Sequence, residues 1–298
     1  MFIRFGFEIE IESGADVPMI LALSAHSTLD ARLVGEDRVR TEPMIPTREF
    51  LDGYGNRITR LVAPKGSLRL WSDCVAEVDG APDPLVPDAE QHAIDAVADA
   101  HLTHLMASRY CDSDNLSDMA WATFGSTPPG WPRVQAICDF VHSEISFGYK
   151  FARSSKTASE VNREKTGVCR DFAHLAISLC RAMNIPSRYA SGYLGDIGVP
   201  DSGPGDFCAW FEVYLGGRWF VFDARYNTRR IGRLPMVRGA DASDVAMITS
   251  FGPYDLRLFR VWTDEVEGAP NDESLLEMLA TRPESEPLVF PSSARVHR

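Results

Sequence analysis

Between Cys169 and Met183 the chain places apolar residues at Phe172, Ala173, Leu175, Ala176, Ile177, Leu179, Cys180, Ala182 and Met183. That pattern covers most of a helix's circumference, so the segment has to be surrounded by the rest of a domain rather than laid on its surface. Asn184-Ile185-Pro186 stops the helix, because proline cannot continue it. A Gly-led turn, Thr166-Gly167-Val168, delivers Cys169 onto the first turn. The unpaired N–H groups and positive dipole end found there favour a thiolate, the reactive form of cysteine. They can also hold the oxyanion of an acyl-transfer intermediate. Cys169 is therefore a candidate nucleophile; the competing reading is a packing cysteine like Cys180.

A chain of 298 residues has room for one large domain or two ordinary ones. Its 45% hydrophobic and 24% charged content is that of a soluble globular protein. A net charge of −12 argues against nucleic acid and anionic lipid as partners, since both need a basic surface. No apolar run approaches the roughly 20 residues of a membrane span. Met1 to Glu10 alternates acidic and apolar residues, reads as a strand and lacks a signal-peptide core, which points to the cytoplasm. The six cysteines (Cys74, Cys111, Cys138, Cys169, Cys180 and Cys208) show no Cys-x-x-Cys spacing and are expected to be free. The seven histidines show no ligand spacing, so neither a metal nor another cofactor is expected.

Residues 1–85 read as an all-β unit. Alternation over Phe5–Ile11 and Ser67–Val78, an apolar run at Met19–Leu23 and a Gly-interrupted stretch from Arg48 to Leu61 predict short strands in a small sandwich or barrel. The Pro/Gly-rich segment Asp79–Pro87 is the linker candidate. From 88 to 265 the chain reads as helices followed by sheet, an α+β pattern. Helices are predicted over Ala89–Met106, over Trp131–Ile145 with Pro132 in its first turn, over Thr157–Lys165 and from Cys169. Strands are predicted at Ser187–Tyr193, Ala209–Leu215 and Arg218–Asp223. Residues 266–298, rich in Pro, Glu and Ser, read as a tail that is partly disordered.

Gly216-Gly217 is a two-residue turn signal between the last two strands. If Leu215 pairs with Arg218, paired positions sum to 433, and Trp210 faces Asp223. Alternation puts Ala209, Phe211, Val213, Phe220, Phe222 and Ala224 on a core face, and Cys208, Trp210, Glu212, Tyr214 and Asp223 on the other. Cys208 and Asp223 then lie diagonally, roughly 7–8 Å apart at Cα. A base at 208 and a carboxylate at 223 would be in reach of each other, as a triad requires. The bland alternative is a half-exposed hairpin with an aspartate ending a strand, its aromatics packing rather than lining a substrate groove.

Gly167-Val168-Cys169-Arg170-Asp171-Phe172-Ala173, Ile185-Pro186-Ser187-Arg188-Tyr189, Ala209-Trp210-Phe211-Glu212-Val213 and Phe222-Asp223-Ala224-Arg225 resemble the core of the transglutaminase-like superfamily. More narrowly, they are similar to its bacterial cysteine protease branch, which carries an extra N-terminal β domain. Asp52–Arg57, Ala63–Leu68 and Arg238–Val245 also fit that branch, so the resemblance spans roughly residues 1–260. It implies a papain-like core of helices packed on an antiparallel sheet, preceded by a small all-β domain. It also implies a Cys-His-Asp triad, in which Cys169 matches the nucleophile and Asp223 the orienting acid. The family's histidine precedes the Ala-Trp pair, and here Cys208 stands in that place.

A thiol cannot relay protons near neutral pH as imidazole does. His174 lies about 140° round the helix from Cys169 and reads as a buried, backbone-bonded histidine. His142 sits on the preceding helix and is a weaker candidate base. Two thiols at one site also admit a reversible Cys169–Cys208 disulfide. Two functional readings follow from the resemblance. One is a cysteine hydrolase or acyltransferase that attacks an amide of a peptide or protein substrate through a Cys169 thioester. The other is a catalytically inactive descendant that binds a peptide or partner. Oligomeric state is not legible.

Overall fold

The computed structural model describes residues 1–200, 203–283 and 286–288. Seven strands open the chain: β1 Phe2–Ser13, β2 Val17–Leu21, β3 Leu33–Val34, β4 Arg40–Glu42, β5 Arg48–Leu51, β6 Arg57–Ala63 and β7 Gly66–Glu77. Ile3, Phe5, Phe7, Ile9 and Ile11 of β1 are at most 1% exposed, the inward face that a period of two requires. β1 pairs antiparallel with β7, which also pairs with β3 and β4. A second antiparallel sheet joins β2, β6 and β5.

The helix expected over Ala89–Met106 does not form. That stretch holds 3-10 turns at Ile94–Ala96 and Thr103–Leu105 and a single α turn, α1, at Asp99–Leu102. No side chain caps any of the three. Its polar groups serve other elements instead: Gln91 donates to the Met183 carbonyl at 2.9 Å, and His92 Nε2 accepts from the Gly217 N–H at 2.9 Å. Tertiary hydrogen bonds outweigh a modest helical propensity.

Four helices follow, α2 Ser117–Phe124, α3 Trp131–Glu144, α4 Ala158–Glu164 and α5 Cys169–Ala182. Pro132 occupies the first turn of α3, where its missing N–H costs nothing. Thr157 and Glu160 cap α4 reciprocally. β8 Ser146–Phe147 and β9 Thr166–Gly167 pair in parallel just ahead of α5. Every residue of α5 from Asp171 to Arg181 is buried, as its all-round apolar pattern demands. α2, α3 and α4 pack against it, as do strands β10 Ser187–Tyr193 and β11 Phe207–Leu215. With β12 Arg218–Phe222 and β13 Leu234–Gly239 these strands form an antiparallel sheet in the order β12-β11-β10-β13. Burial of Arg181 is compensated by the carbonyls of Ser187, Ala240 and Met106, at 2.6–3.2 Å.

The hairpin register is the one read from the sequence, with Leu215 opposite Arg218 and Phe211 opposite Phe222. Its second face is half-buried at Tyr214, Trp219 and Val221 but closed off along the rest of β11. Cys208, Trp210 and Glu212 are 4%, 1% and 4% exposed. Glu212 can be buried because Arg188 and Arg238 both pair with it. The chain then returns to the N-terminal sheets. β14 Ile248–Ser250 pairs with β2, and β15 Asp255–Val266 fills the free edge of β1. Within the segment read as a tail, α6 Asp272–Ala280 forms under an Asn271 cap, while 289–298 lie outside the described residues. The architecture is α+β, helices on an antiparallel sheet with a strand-rich N-terminal region. Among the described residues no helix is long and apolar enough to cross a membrane.

Candidate active site

Cys169 occupies the first position of α5 and is half-buried. Its neighbours set the helix entry. The Asp171 carboxylate accepts from the Val168 N–H at 3.0 Å, and Arg170 pairs with Asp171 at 3.1 Å and donates to the Arg153 carbonyl at 2.6 Å. The backbone N–H groups of Ala209 and Arg170 stabilise a thiolate here, as does the Arg225 guanidinium. Burial and the Asp206 carboxylate prevail, pushing the thiol up to about 11. The acidifying effect of the helix N-terminus is outweighed, and the sulfur carries its proton at neutral pH.

Cys208, on β11, has a thiol raised well above the ordinary range by burial, then by Asp223 and by Cys169. It therefore stands in electrostatic reach of both other residues singled out in the sequence. Both thiols are free, so the disulfide is not formed. Asp223 follows β12, and its Oδ1 accepts from the N–H groups of Arg225 and Tyr226 at 3.0 and 3.1 Å. Its Oδ2 accepts from Arg233 at 2.8 Å, and the same guanidinium pairs with Asp83 at 2.8 Å. An arginine, not an imidazole, holds the acid. Sequence reading missed Arg233 because its two partners lie 10 and 150 residues away.

The described histidines are engaged elsewhere. His174 is fully buried between Tyr110 and Tyr189, accepts from the Ala242 N–H at 3.2 Å, and is held neutral by burial, its pKa lowered to about 3. His142 is exposed, and its Nδ1–H donates to the Arg225 carbonyl at 2.8 Å. His101 and His104 pack on Tyr214 and Trp219 at the turn end of the hairpin. No histidine is among the foremost groups that shift the Cys169 thiol.

The charged group that most raises the Cys169 thiol, after burial itself, is one the sequence reading passed over. Asp206 ends a Gly/Pro/Asp-rich loop, a composition that reads as turn chemistry alone. Its carboxylate accepts from the Tyr149 hydroxyl at 3.0 Å, and burial raises it to about 6. The two flanks of the loop lie directly on β15. A Cβ at Gly195 would sit 2.3 Å from the Thr263 carbonyl oxygen, and one at Gly205 2.1 Å from that of Val261. A cavity of about 840 Å³ runs between this loop and β15 and is lined at one end by Tyr149, Asp206, Cys208, Arg225 and Tyr226. Trp210, by contrast, is buried beneath Arg233, 5.0 Å from its guanidinium carbon, and lines no groove. Among the described residues no group of three or more His, Cys, Asp or Glu could hold a metal ion.

A thiol at a buried helix N-terminus, a following β-hairpin and an aspartate closing it define a class. The family model of the transglutaminase-like superfamily matches residues 120–224, and that segment is a transglutaminase-like domain. Among solved structures, the chain is similar to the putative cysteine protease from Cytophaga hutchinsonii: TM-score 0.79 at 27% identity, covering 91% of this chain and 92% of that one. An uncharacterized protein of Mycobacterium leprae is 26% identical over 218 residues, 70% of this chain and 77% of that protein. An uncharacterized protein of Mycobacterium tuberculosis is 29% identical over 154 residues, about half of either chain (48% and 49%).

Proposed function

We propose that this chain is a transglutaminase-fold cysteine hydrolase or acyltransferase that acts on an amide of a peptide or protein through a thioester on Cys169. The observation that carries the reading is the setting of Cys169: the N-terminus of a buried helix, where the backbone N–H groups of Ala209 and Arg170 favour a thiolate, beside Cys208, which lines a cavity of about 840 Å³. Those N–H groups are of the kind that hold an oxyanion. With its pKa near 11, the thiol reacts as a neutral nucleophile whose proton leaves during attack, as a serine hydroxyl does, and not as a pre-formed thiolate.

A second reading, an inactive peptide- or partner-binding module, is favoured by one specific feature. Cys208 takes the place of the family's histidine, and Asp223 is already bound to Arg233. Intact-mass spectrometry after incubation with peptide amides and activated esters separates the two. The catalytic reading expects an acyl adduct on Cys169 that hydroxylamine removes and that Cys169→Ala abolishes. Peptide binding with neither adduct nor product would overturn it in favour of the second.

A further inference from the structure

Arg233, Arg230, Arg188 and Arg238 all sit against carboxylates: Arg233 on Asp83 and Asp223, Arg230 on Asp196, and the other two on Glu212. Arg225 is different. Its guanidinium carbon lies 3.7 Å from the centroid of the Phe147 ring and 4.6 Å from that of Tyr226, yet among the described residues no carboxylate or carbonyl accepts from it. Arg225, Phe147 and Tyr226 line the cavity together with Cys208. We propose that Arg225 is a recognition residue for a carboxylate of a bound peptide, its fork of N–H donors serving the ligand and not the protein.

The residue is held from both ends. Its backbone N–H donates to Asp223 Oδ1 at 3.0 Å, and its carbonyl accepts from His142 Nδ1–H at 2.8 Å. The two rings fix the plane of the guanidinium. Asp223 thereby has a task that needs no triad. Bonded to the N–H groups of Arg225 and Tyr226, it shapes the turn from which both side chains reach the cavity wall. One ring of the clamp is tied to the nucleophile segment. Phe147 pairs with Gly167, two residues ahead of Cys169, and the Gly148 N–H donates to the Gly167 carbonyl at 3.0 Å.

Ordering an arginine between two rings costs side-chain entropy, and donors left without an acceptor return none of it. An anion entering the cavity does return it. Carboxylate fits best, because a guanidinium takes its two oxygens through two parallel hydrogen bonds. Among the described residues the other charged groups lining the cavity are carboxylates, Asp206, Asp264, Glu265 and Glu286 among them. Their field disfavours a multiply charged anion such as phosphate and suits one carboxylate on a chain that also carries a basic group. A peptide with a free carboxyl terminus has that chemistry. The assignment goes beyond acyl transfer, since it holds whether the chain cleaves the peptide or only binds it.

Isothermal titration calorimetry of the full chain tests it, with Cys169→Ala introduced to prevent turnover. The probes are acetyl-Ala-Ala-Lys-Ala with a free carboxyl terminus, the same peptide as its C-terminal amide, and that amide with glutamate as its last residue. The free acid should bind about tenfold or more tighter than the amide. Recovery of that gain by the glutamate amide would trace the carboxylate to a side chain; no recovery would trace it to the chain terminus. Arg225→Met, which still packs on Phe147 and Tyr226, should bind acid and amide alike, and a cooperative melt of the same sample shows it folded. Arg225→Glu should prefer the amide. The comparison of acid with amide in the parent needs no change at Arg225, so the proposal stays testable if those variants do not fold. Equal affinity of the parent for both peptides, binding of neither, a preference that survives Arg225→Met, or displacement of the acid by inorganic phosphate at equal concentration overturns the assignment and leaves the catalytic reading standing. A preference for the acid in a chain that forms no acyl adduct on Cys169 keeps the assignment and removes the catalytic reading.

Discussion

At the scale of single residues, Arg233 decides what Asp223 can do. Both side chains are at most 5% exposed, and the guanidinium also neutralises Asp83. Removing one partner of such a pair leaves buried charge without compensation, so Arg233→Met should cost about 3–5 kcal/mol in a urea unfolding series. A loss below about 1 kcal/mol would mean that water replaces the guanidinium. Installing the family's imidazole does not by itself rebuild a triad, because the carboxylate it needs is already engaged. Cys208→His alone should leave Cys169 acylation unchanged, and a gain of about tenfold or more would contradict that account. His174 illustrates the opposite kind of buried group. Its folded pKa lies near 3, below the ordinary 6.5, so its stabilising contribution is intact above 6.5. As pH falls from there toward 3, the unfolded chain takes up a proton the folded one refuses, costing up to about 1.4 kcal/mol per pH unit. Melting curves of His174→Asn between pH 6.5 and 4 should accordingly slope less than those of wild type. The sequence made His174 legible as a core residue, since its helix is apolar all round. Asp206 was illegible as part of the cavity wall because nothing in Pro204-Gly205-Asp206 distinguishes it from a turn.

Among the elements, α5 and the β11–β12 hairpin are those that sequence pattern resolves best. Each carries a signal strong enough to stand alone: near-continuous apolar residues at helical length in one, two short aromatic and β-branched runs about Gly216-Gly217 in the other. The stretch from Ala89 to Met106 has the composition of a helix without caps, and hydrogen bonds to distant carbonyls and amides win there. The short α2 escaped notice because its eight residues make too few turns to establish a period. Because α5 is enclosed on all sides, truncating it leaves a cavity that cannot collapse easily. Leu179→Ala should destabilise by about 2–5 kcal/mol, measured by chemical denaturation. The loop that carries Asp206 has the reverse problem, too little room. Gly205→Ala would force a methyl to within 2.1 Å of the Val261 oxygen unless the loop lifts from β15. That variant should lose about 1–3 kcal/mol of stability, measured by chemical denaturation.

Across the whole molecule, what the sequence concealed is long-range pairing. Local pattern identifies β1 as a strand with one apolar face, but nothing near it in the chain indicates that its second neighbour is β15, with Phe2 opposite Val266. The site inherits this arrangement, since the cavity wall opposite Asp206 is β15 itself. Deleting residues from 255 onward should therefore strip away both the wall and a sheet partner. A chain so shortened should aggregate on refolding where the intact one stays dispersed in light scattering; a dispersed, cooperatively melting product would refute this. The same pairing sets the order of events on the ribosome. β1 cannot meet one of its neighbours until more than 240 further residues have been translated. Its unfilled margin therefore stays open throughout elongation, when a nascent chain is most vulnerable to wrong partners and most in need of a chaperone.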